Sequence, residues 1–216
     1  MKNIIFEPNN NIILPIKGSK HFFPVNQIYC VGRNYSEHAR EMGVDEKNPP
    51  FFFTKPNWTL TRKNVSYPQN TENLQHEVEF VIAIGKEISI FGFAVGVDLT
   101  KRDVQSRAKK NGKPWFSSKS FVGSSPISEI VPISKSDNFS DLELKLSVNG
   151  KIRQQGSCSD MIWSPIDILS ELKSKVPLSQ GDLIYTGTPK GVASVKSGDI
   201  IDASITDKTN LSFKII

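Results

Sequence analysis

The stretch "QHEVEFVIAIGK", residues 75–86, constrains this chain more than any other. Alternate residues of a β-strand point to opposite faces. Val78, Phe80, Ile82 and Ile84 therefore share one face, and Glu77, Glu79, Val81 and Ala83 the other. Beyond Glu79 both faces are apolar, which describes a buried strand. Its first half nevertheless carries two carboxylates on one face, about 7 Å apart. Half-buried like charges call for a cation or for shared protons. The stretch alone is equally compatible with an edge strand that enters from solvent with both glutamates hydrated.

Strand signals continue along the chain. "NQIYCVG" (26–32) reads as one strand. In "DLELKLSVNGKIRQQG" (141–156), Leu142, Leu144, Leu146 and Val148 alternate with polar residues, and Asn149-Gly150 supplies a type I′ hairpin turn. "GDLIYTG" (181–187), "GDIIDASI" (198–205) and "LSFKII" (211–216) add strands to a β-rich C-terminal half. One helix is clearly marked: Ser164 as N-cap, Pro165 in the first turn and Asp167 three residues after the cap. Ile166, Leu169, Leu172 and Val176 form its expected apolar stripe. A shorter helix is expected to begin in "NYSEHAREMGVDEKNPP" (34–50). The expectation is a single, mixed but predominantly β domain over 1–216, with 1–25 as an N-terminal lead-in and a few short helices.

Composition narrows the partners. The chain has 27 basic and 22 acidic residues, a formal charge of +5. The basic residues are dispersed, with one denser run at 101–113 that a solvated helix face explains more cheaply than a nucleic-acid surface. No interleaved surface aromatics or recognisable binding motif accompany it. Two cysteines, Cys30 and Cys158, make neither a disulfide framework nor a zinc spacing and suit a reducing compartment. The N-terminus lacks the apolar core of a signal peptide, and no stretch is long enough to span a membrane. A cytoplasmic protein without membrane or nucleic-acid partners is the resulting expectation.

Several side chains are candidates for chemistry. Asp98 follows the small, apolar strand Phe93–Val97, a good position for a ligand and equally good for an N-cap of the next helix. With Glu77 and Glu79 it makes three carboxylates, a set that suits Mg²⁺, Mn²⁺ or Ca²⁺. His38 and Glu41, three apart, share a helix face, and a carboxylate beside an imidazole makes it a better base. Such pairs also occur by chance on surfaces. Lys119 lies among aromatic and small residues in "PWFSSKSF", as a snorkelling surface lysine or as the counter-charge of an anionic site. "TGTPKG" (186–191) lacks phosphate-loop spacing and reads as a strand-ending turn exposing Thr188. No G-x-S-x-G elbow is present.

Taken in order, "IYCVGRNYSEHAREMG", "HEVEF", "GVDLTKRDVQ", "GKPWFSSKSF", "VNGKIRQQGSCSDMI" and "GDLIYTGTPKGV" resemble the motifs of the fumarylacetoacetate hydrolase family, from about Ile28 to the C-terminus. The resemblance is strongest to a short, single-domain branch of acylpyruvate hydrolases, which includes oxaloacetate decarboxylases and tautomerases. It implies a rolled, strongly β sheet and a homodimer. It implies a metal site of Glu77, Glu79 and Asp98 holding Mg²⁺ or Mn²⁺, catalytic His38, Glu41 and Lys119, and substrate contacts from Arg102, Gln105 and Thr188. Two departures are visible. Val122 stands where many members carry Asp, and the 85–93 connection is short where many carry a helix.

The implied chemistry follows from these groups. Lys119 offsets part of the charge of three carboxylates, the sequence showing no other neutralising device. A small 2-oxo acid chelates the metal, which acts as a Lewis acid for an enolate. In a 2,4-dioxo acid, His38 oriented by Glu41 activates water, and the C–C bond breaks to release pyruvate. Hydrolysis of acylpyruvates is the leading expectation. The alternative is an isomerase or decarboxylase on the same site: an oxaloacetate tautomerase or decarboxylase, or an isomerase similar to that for 2-hydroxyhepta-2,4-diene-1,7-dioate. A basic nucleic-acid-binding domain is the remote third.

Overall fold

The computed structural model describes residues 12–35 and 49–216. Its centre is a six-stranded mixed sheet, in the order Val131–Pro132, Ile90–Val97, Val78–Ile84, Leu183–Tyr185, Ile28–Gly32, Phe51–Lys55. The Leu183–Tyr185 and Ile28–Gly32 strands run parallel, and the other neighbours antiparallel. A four-stranded antiparallel sheet, Lys151–Ser157, Glu143–Val148, Ile200–Ile205 and Thr209–Lys214, packs on one face. The chain is mixed and predominantly β, as its alternation requires.

Val78–Ile84 is buried along its whole length, and its two faces serve two different cores. Phe80, Ile82 and Ile84 join Phe93, Leu144, Ile201 and Phe213 in the larger core between the sheets. Val81 and Ala83 join Ile28, Leu183 and Tyr185 in a smaller one. That second core is closed by Leu14, Phe23 and Val25 from an antiparallel hairpin, Ile12–Pro15 with Phe22–Val25. Residues 12–25, expected only as a lead-in, are thus part of the core. The run "NIILPIKGSKHFFPV" alternates too briefly for its pairing to be read locally.

The Asn149-Gly150 turn has positive φ at both residues (52° and 75°), as a type I′ turn demands. A bulge between Leu146 and Ser147 leaves Arg153 without a cross-strand partner and turns Gln154 inward. The helix Pro165–Lys175 begins with the expected capping box of Ser164 and Asp167. Its buried stripe differs from expectation. Pro165, Ile168 and Leu172 face the core, whereas Ile166 is 63% exposed. Pro165, counted in the sequence as a helix starter, is itself a packing residue and sets the rotation. Replacing Ser164 with Ala is expected to cost about 1 kcal/mol in a urea titration, because the Asp167 N–H loses its acceptor.

The short 85–93 connection closes the Val78–Ile84/Ile90–Val97 hairpin with one turn, Lys86–Ile88, where Glu87 and Ile88 adopt left-handed φ. It lies beyond the Ile84–Ile90 pair, at the far end of the hairpin from Asp98. The packing beside Asp98 does not depend on it.

Candidate metal and anion site

Register assembles the carboxylates. Val78 pairs with Val97, so Glu77 and Asp98 stand opposite each other one step further on, and the Asp98 N–H donates to the Glu77 carbonyl at 2.8 Å. Glu79, two residues along, shares the face of Glu77 and lies opposite Gly96. One oxygen from each of Glu77, Glu79 and Asp98 falls within 4.8 Å of the others, and all three residues are buried. Neither alternative survives. The glutamates are not hydrated at a strand edge. Nor does Asp98 cap a helix, because the helix Arg102–Lys110 starts after Lys101.

Lys119, at the end of the short helix Phe116–Lys119, is the central counter-charge. Its Nζ donates to Glu77 Oε2 (2.7 Å), Asp98 Oδ2 (2.6 Å) and Thr100 Oγ1 (2.7 Å). Burial pushes the Lys119 ammonium towards neutrality, but Asp98 and Glu77 outweigh it and raise its pKa. It is therefore a buried charge, not a snorkelling lysine.

The expectation that Lys119 acts alone is corrected. Lys55, fully buried at the end of the Phe51–Lys55 strand, donates to Asp98 Oδ1 at 2.5 Å and to the Ser124 carbonyl at 2.7 Å. Arg102 donates to Glu77 Oε1, to Gln75 Oε1 (2.7 Å) and to Gln105 Oε1 (2.6 Å). For Glu77, burial raises the pKa, but Lys119 and Arg102 prevail and hold the carboxyl well below its usual range. Glu79 differs. It accepts the Gly187 N–H at 2.6 Å, and among the described residues no cation bonds to it. Burial first, then Asp98 and Glu77, drives its pKa well above the ordinary carboxylate value.

These residues fit a divalent cation. The donors are hard carboxylate oxygens converging on one point, and Glu79 lacks the positive partner that such an ion provides. Arg102, Gln105 and Lys109, at helical spacing, line the same pocket. The basic run at 101–113 is therefore only partly a solvated face. Thr188 also lines the pocket, but it is buried rather than exposed.

Gln154 orients Thr188. Gln154 Oε1 accepts the Val78 N–H (3.0 Å), so its Nε2 faces the Pro189 carbonyl (2.9 Å) and Thr188 Oγ1 (2.8 Å). The Thr188 oxygen is thus an acceptor from Gln154, and its own proton is left to donate elsewhere. His76 Nδ1 lies 2.8 Å from the same Gln154 Oε1 and must carry the proton. Sequence reading found neither Lys55 nor Gln154. Gln154 reads as one more polar residue of an alternating strand, and Lys55 as a lysine closing an aromatic run.

His38 and Glu41 fall outside the described residues. Val122 is 80% exposed and lies on a separate groove with Tyr67 and Phe121, so it does not face the carboxylates.

Fold and site together give a mixed, predominantly β domain with three buried, converging carboxylates beside Lys55, Lys119 and Arg102. The chain belongs to the fumarylacetoacetate hydrolase family: the model described as "Fumarylacetoacetate (FAA) hydrolase C-terminal" matches residues 27–216. The Bos taurus protein named "Oxaloacetate tautomerase FAHD1, mitochondrial" is 40% identical over 200 residues, covering 87% of this chain and 90% of its own. Escherichia coli (strain K12) "Oxaloacetate tautomerase YcgM" is 37% identical, over 82% of this chain and 87% of its own. A crystal structure of fumarylpyruvate hydrolase from Pseudomonas aeruginosa, in complex with Mn²⁺ and pyruvate, superimposes with TM-score 0.94. It is 38% identical, and the match covers 99% of both chains. No described helix is long and apolar enough to cross a membrane.

Proposed function

We propose that this chain is a divalent-metal-dependent enzyme of small 2-oxo acids whose leading reaction is keto–enol interconversion of oxaloacetate. The observation that carries this reading is the buried Glu77–Glu79–Asp98 cradle with Lys119 at hydrogen-bond distance, opening into a pocket lined by Arg102, Gln105 and Thr188. The relatives at 37–40% identity named oxaloacetate tautomerase favour this reaction over the hydrolysis expected from sequence.

Mg²⁺ or Mn²⁺ bound by Glu77, Glu79 and Asp98 would supply Lewis-acid stabilisation of negative charge on the substrate oxygens. Arg102, Gln105 and Thr188 orient the substrate carboxylate through N–H and O–H donors. Lys119 holds Glu77 and Asp98 in place and adds positive charge beside the reacting carbonyl. His38, oriented by Glu41, takes the proton from C3, its imidazolium passes that same proton to the C2 oxygen, and the reverse transfers regenerate the ketone. The protein acts as a homodimer on this reading, which sedimentation would check.

Hydrolysis of acylpyruvates is the second reading, favoured by the 0.94 superposition on a fumarylpyruvate hydrolase. The deciding experiment gives the Mg²⁺- or Mn²⁺-loaded protein enol-oxaloacetate, acetylpyruvate and fumarylpyruvate in parallel. Enol absorbance, pyruvate and CO₂ are followed together. Faster ketonisation without pyruvate or CO₂ supports the tautomerase. Faster release of pyruvate from an acylpyruvate supports the hydrolase. Acceleration of neither removes both.

His38→Ala is expected to lower kcat by about 10²–10⁴, the range of general-base effects, while cation affinity by calorimetry stays unchanged. Full activity in that variant would assign the proton transfer to another group.

A further inference from the structure

The pocket has a second group of cations at its mouth that the chemistry above does not use. Its floor is buried: Glu79, Asp98 and Lys119. Its mouth is formed by half-exposed side chains, among them Arg33, Phe51, Lys109 and Trp115. Their arrangement is continuous. The Arg33 guanidinium lies 5.8 Å from the centre of the Phe51 ring. Phe51 meets Trp115 edge-on at 5.2 Å. Lys109 Nζ sits 4.8 Å from the Trp115 ring centre. Two cations are thus mounted on two touching aromatic platforms.

The backbone holds this geometry. Arg33 has φ of +66°, a left-handed conformation unfavourable for a side-chain-bearing residue. Asn34 next to it is buried and tied to Trp163 and Thr186 by three hydrogen bonds, which fixes the bend. Gly32 before it leaves room for the Phe51 ring, since a Cβ there would lie 2.0 Å from it and push the ring aside.

Charge accounting separates these cations from the floor. On the floor, Lys55, Lys119 and Arg102 pair with Glu77 and Asp98. At the mouth, among the described residues, neither Arg33 nor Lys109 has an acid or a hydrogen-bond partner. Burial, then Arg33 and Arg102, pushes the Lys109 pKa down to about 8. Glu77 on the pocket floor pulls the other way without outweighing burial and the cations.

We infer that Arg33 and Lys109 seat the second carboxylate of a dianionic 2-oxo acid, so that the pocket selects dicarboxylates over 2-oxo acids with a neutral tail. This rests on the proposed 2-oxo acid chemistry for the floor. A substrate with an apolar tail would leave two half-buried cations facing each other. A tail carboxylate supplies the missing charge and accepts from both.

The test is calorimetry on the full chain loaded with Mg²⁺, using 2-oxoglutarate and 2-oxopentanoate, which differ by a carboxylate against a methyl group at the tail. The wild type is expected to prefer 2-oxoglutarate by about 30-fold, the scale of one or two charge-assisted hydrogen bonds. Arg33→Gln and Lys109→Met, the latter keeping its stem on Trp115, should each cut the preference to about threefold. Affinity for 2-oxopentanoate should stay within about twofold. Lys109→Arg should keep the preference. Equal affinity for the two ligands in the wild type overturns the inference, as does a variant that weakens both alike. Failure of the wild type to bind either ligand removes the 2-oxo acid reading itself, and the carboxylate seat with it.

Discussion

Replacing Lys119 with Met is expected to destabilise the cation-free protein by about 3–5 kcal/mol in denaturant titrations, and to abolish turnover. Lys119 is 3% exposed, and its ammonium bridges Glu77 and Asp98. Removing one partner of a buried ion pair leaves the other in low dielectric without compensation, and here a single change strips both acids. Lys55 still meets Asp98 and Arg102 still meets Glu77, which places the expected loss within that range rather than beyond it. A loss below 1 kcal/mol would mean that water enters the site freely enough to solvate the acids.

Glu79→Gln is expected to act with the opposite sign on the cation-free fold. Glu79 is 2% exposed and receives one backbone N–H but no cation among the described residues. Gln keeps the shape and removes a carboxylate that the cation-free fold must either bury as a charge or protonate at a cost, so the unfolding midpoint in EDTA should rise. Mg²⁺ and Mn²⁺ affinity should fall by about 100-fold or more, since even second-sphere partners of a metal are worth 10–100-fold. Calorimetry and thermal melts with and without the ion separate the two effects. Unchanged cation affinity would remove Glu79 from the ligand set.

What the sequence discloses is what depends on local periodicity. The Val78–Ile84 strand, the 143–157 hairpin and the Ser164 cap are legible because the deciding residues lie within a few positions of one another. Glu77 and Glu79 stand out because they interrupt an apolar pattern. Lys55 does not, because "FFFTKP" reads as an ordinary lysine closing an aromatic run. Only the pairing of Phe51–Lys55 with Ile28–Gly32, together with Ser124, brings its Nζ to Asp98, 43 residues away in sequence. Gln154 is hidden by a bulge that moves it from the expected solvent row to the inside. The Ile166 stripe is misread because proline at a helix start serves two ends at once. His38 and Glu41 lie outside the described residues, so their place rests on motif resemblance.

The two-cored strand Val78–Ile84 also fixes how the site responds to its contents. Neither of its faces can be bared without opening a core, so its amides are expected to exchange with solvent only through openings close to global unfolding. The cradle at its leading end is therefore lost together with the fold and not before it. Any ion or ligand held there lends its full binding free energy, RT ln(1 + [L]/Kd), to the entire chain. Occupancy of a few side chains becomes a property of the protein's lifetime: the loaded enzyme resists unfolding and proteolysis everywhere, even in strands that never touch the pocket.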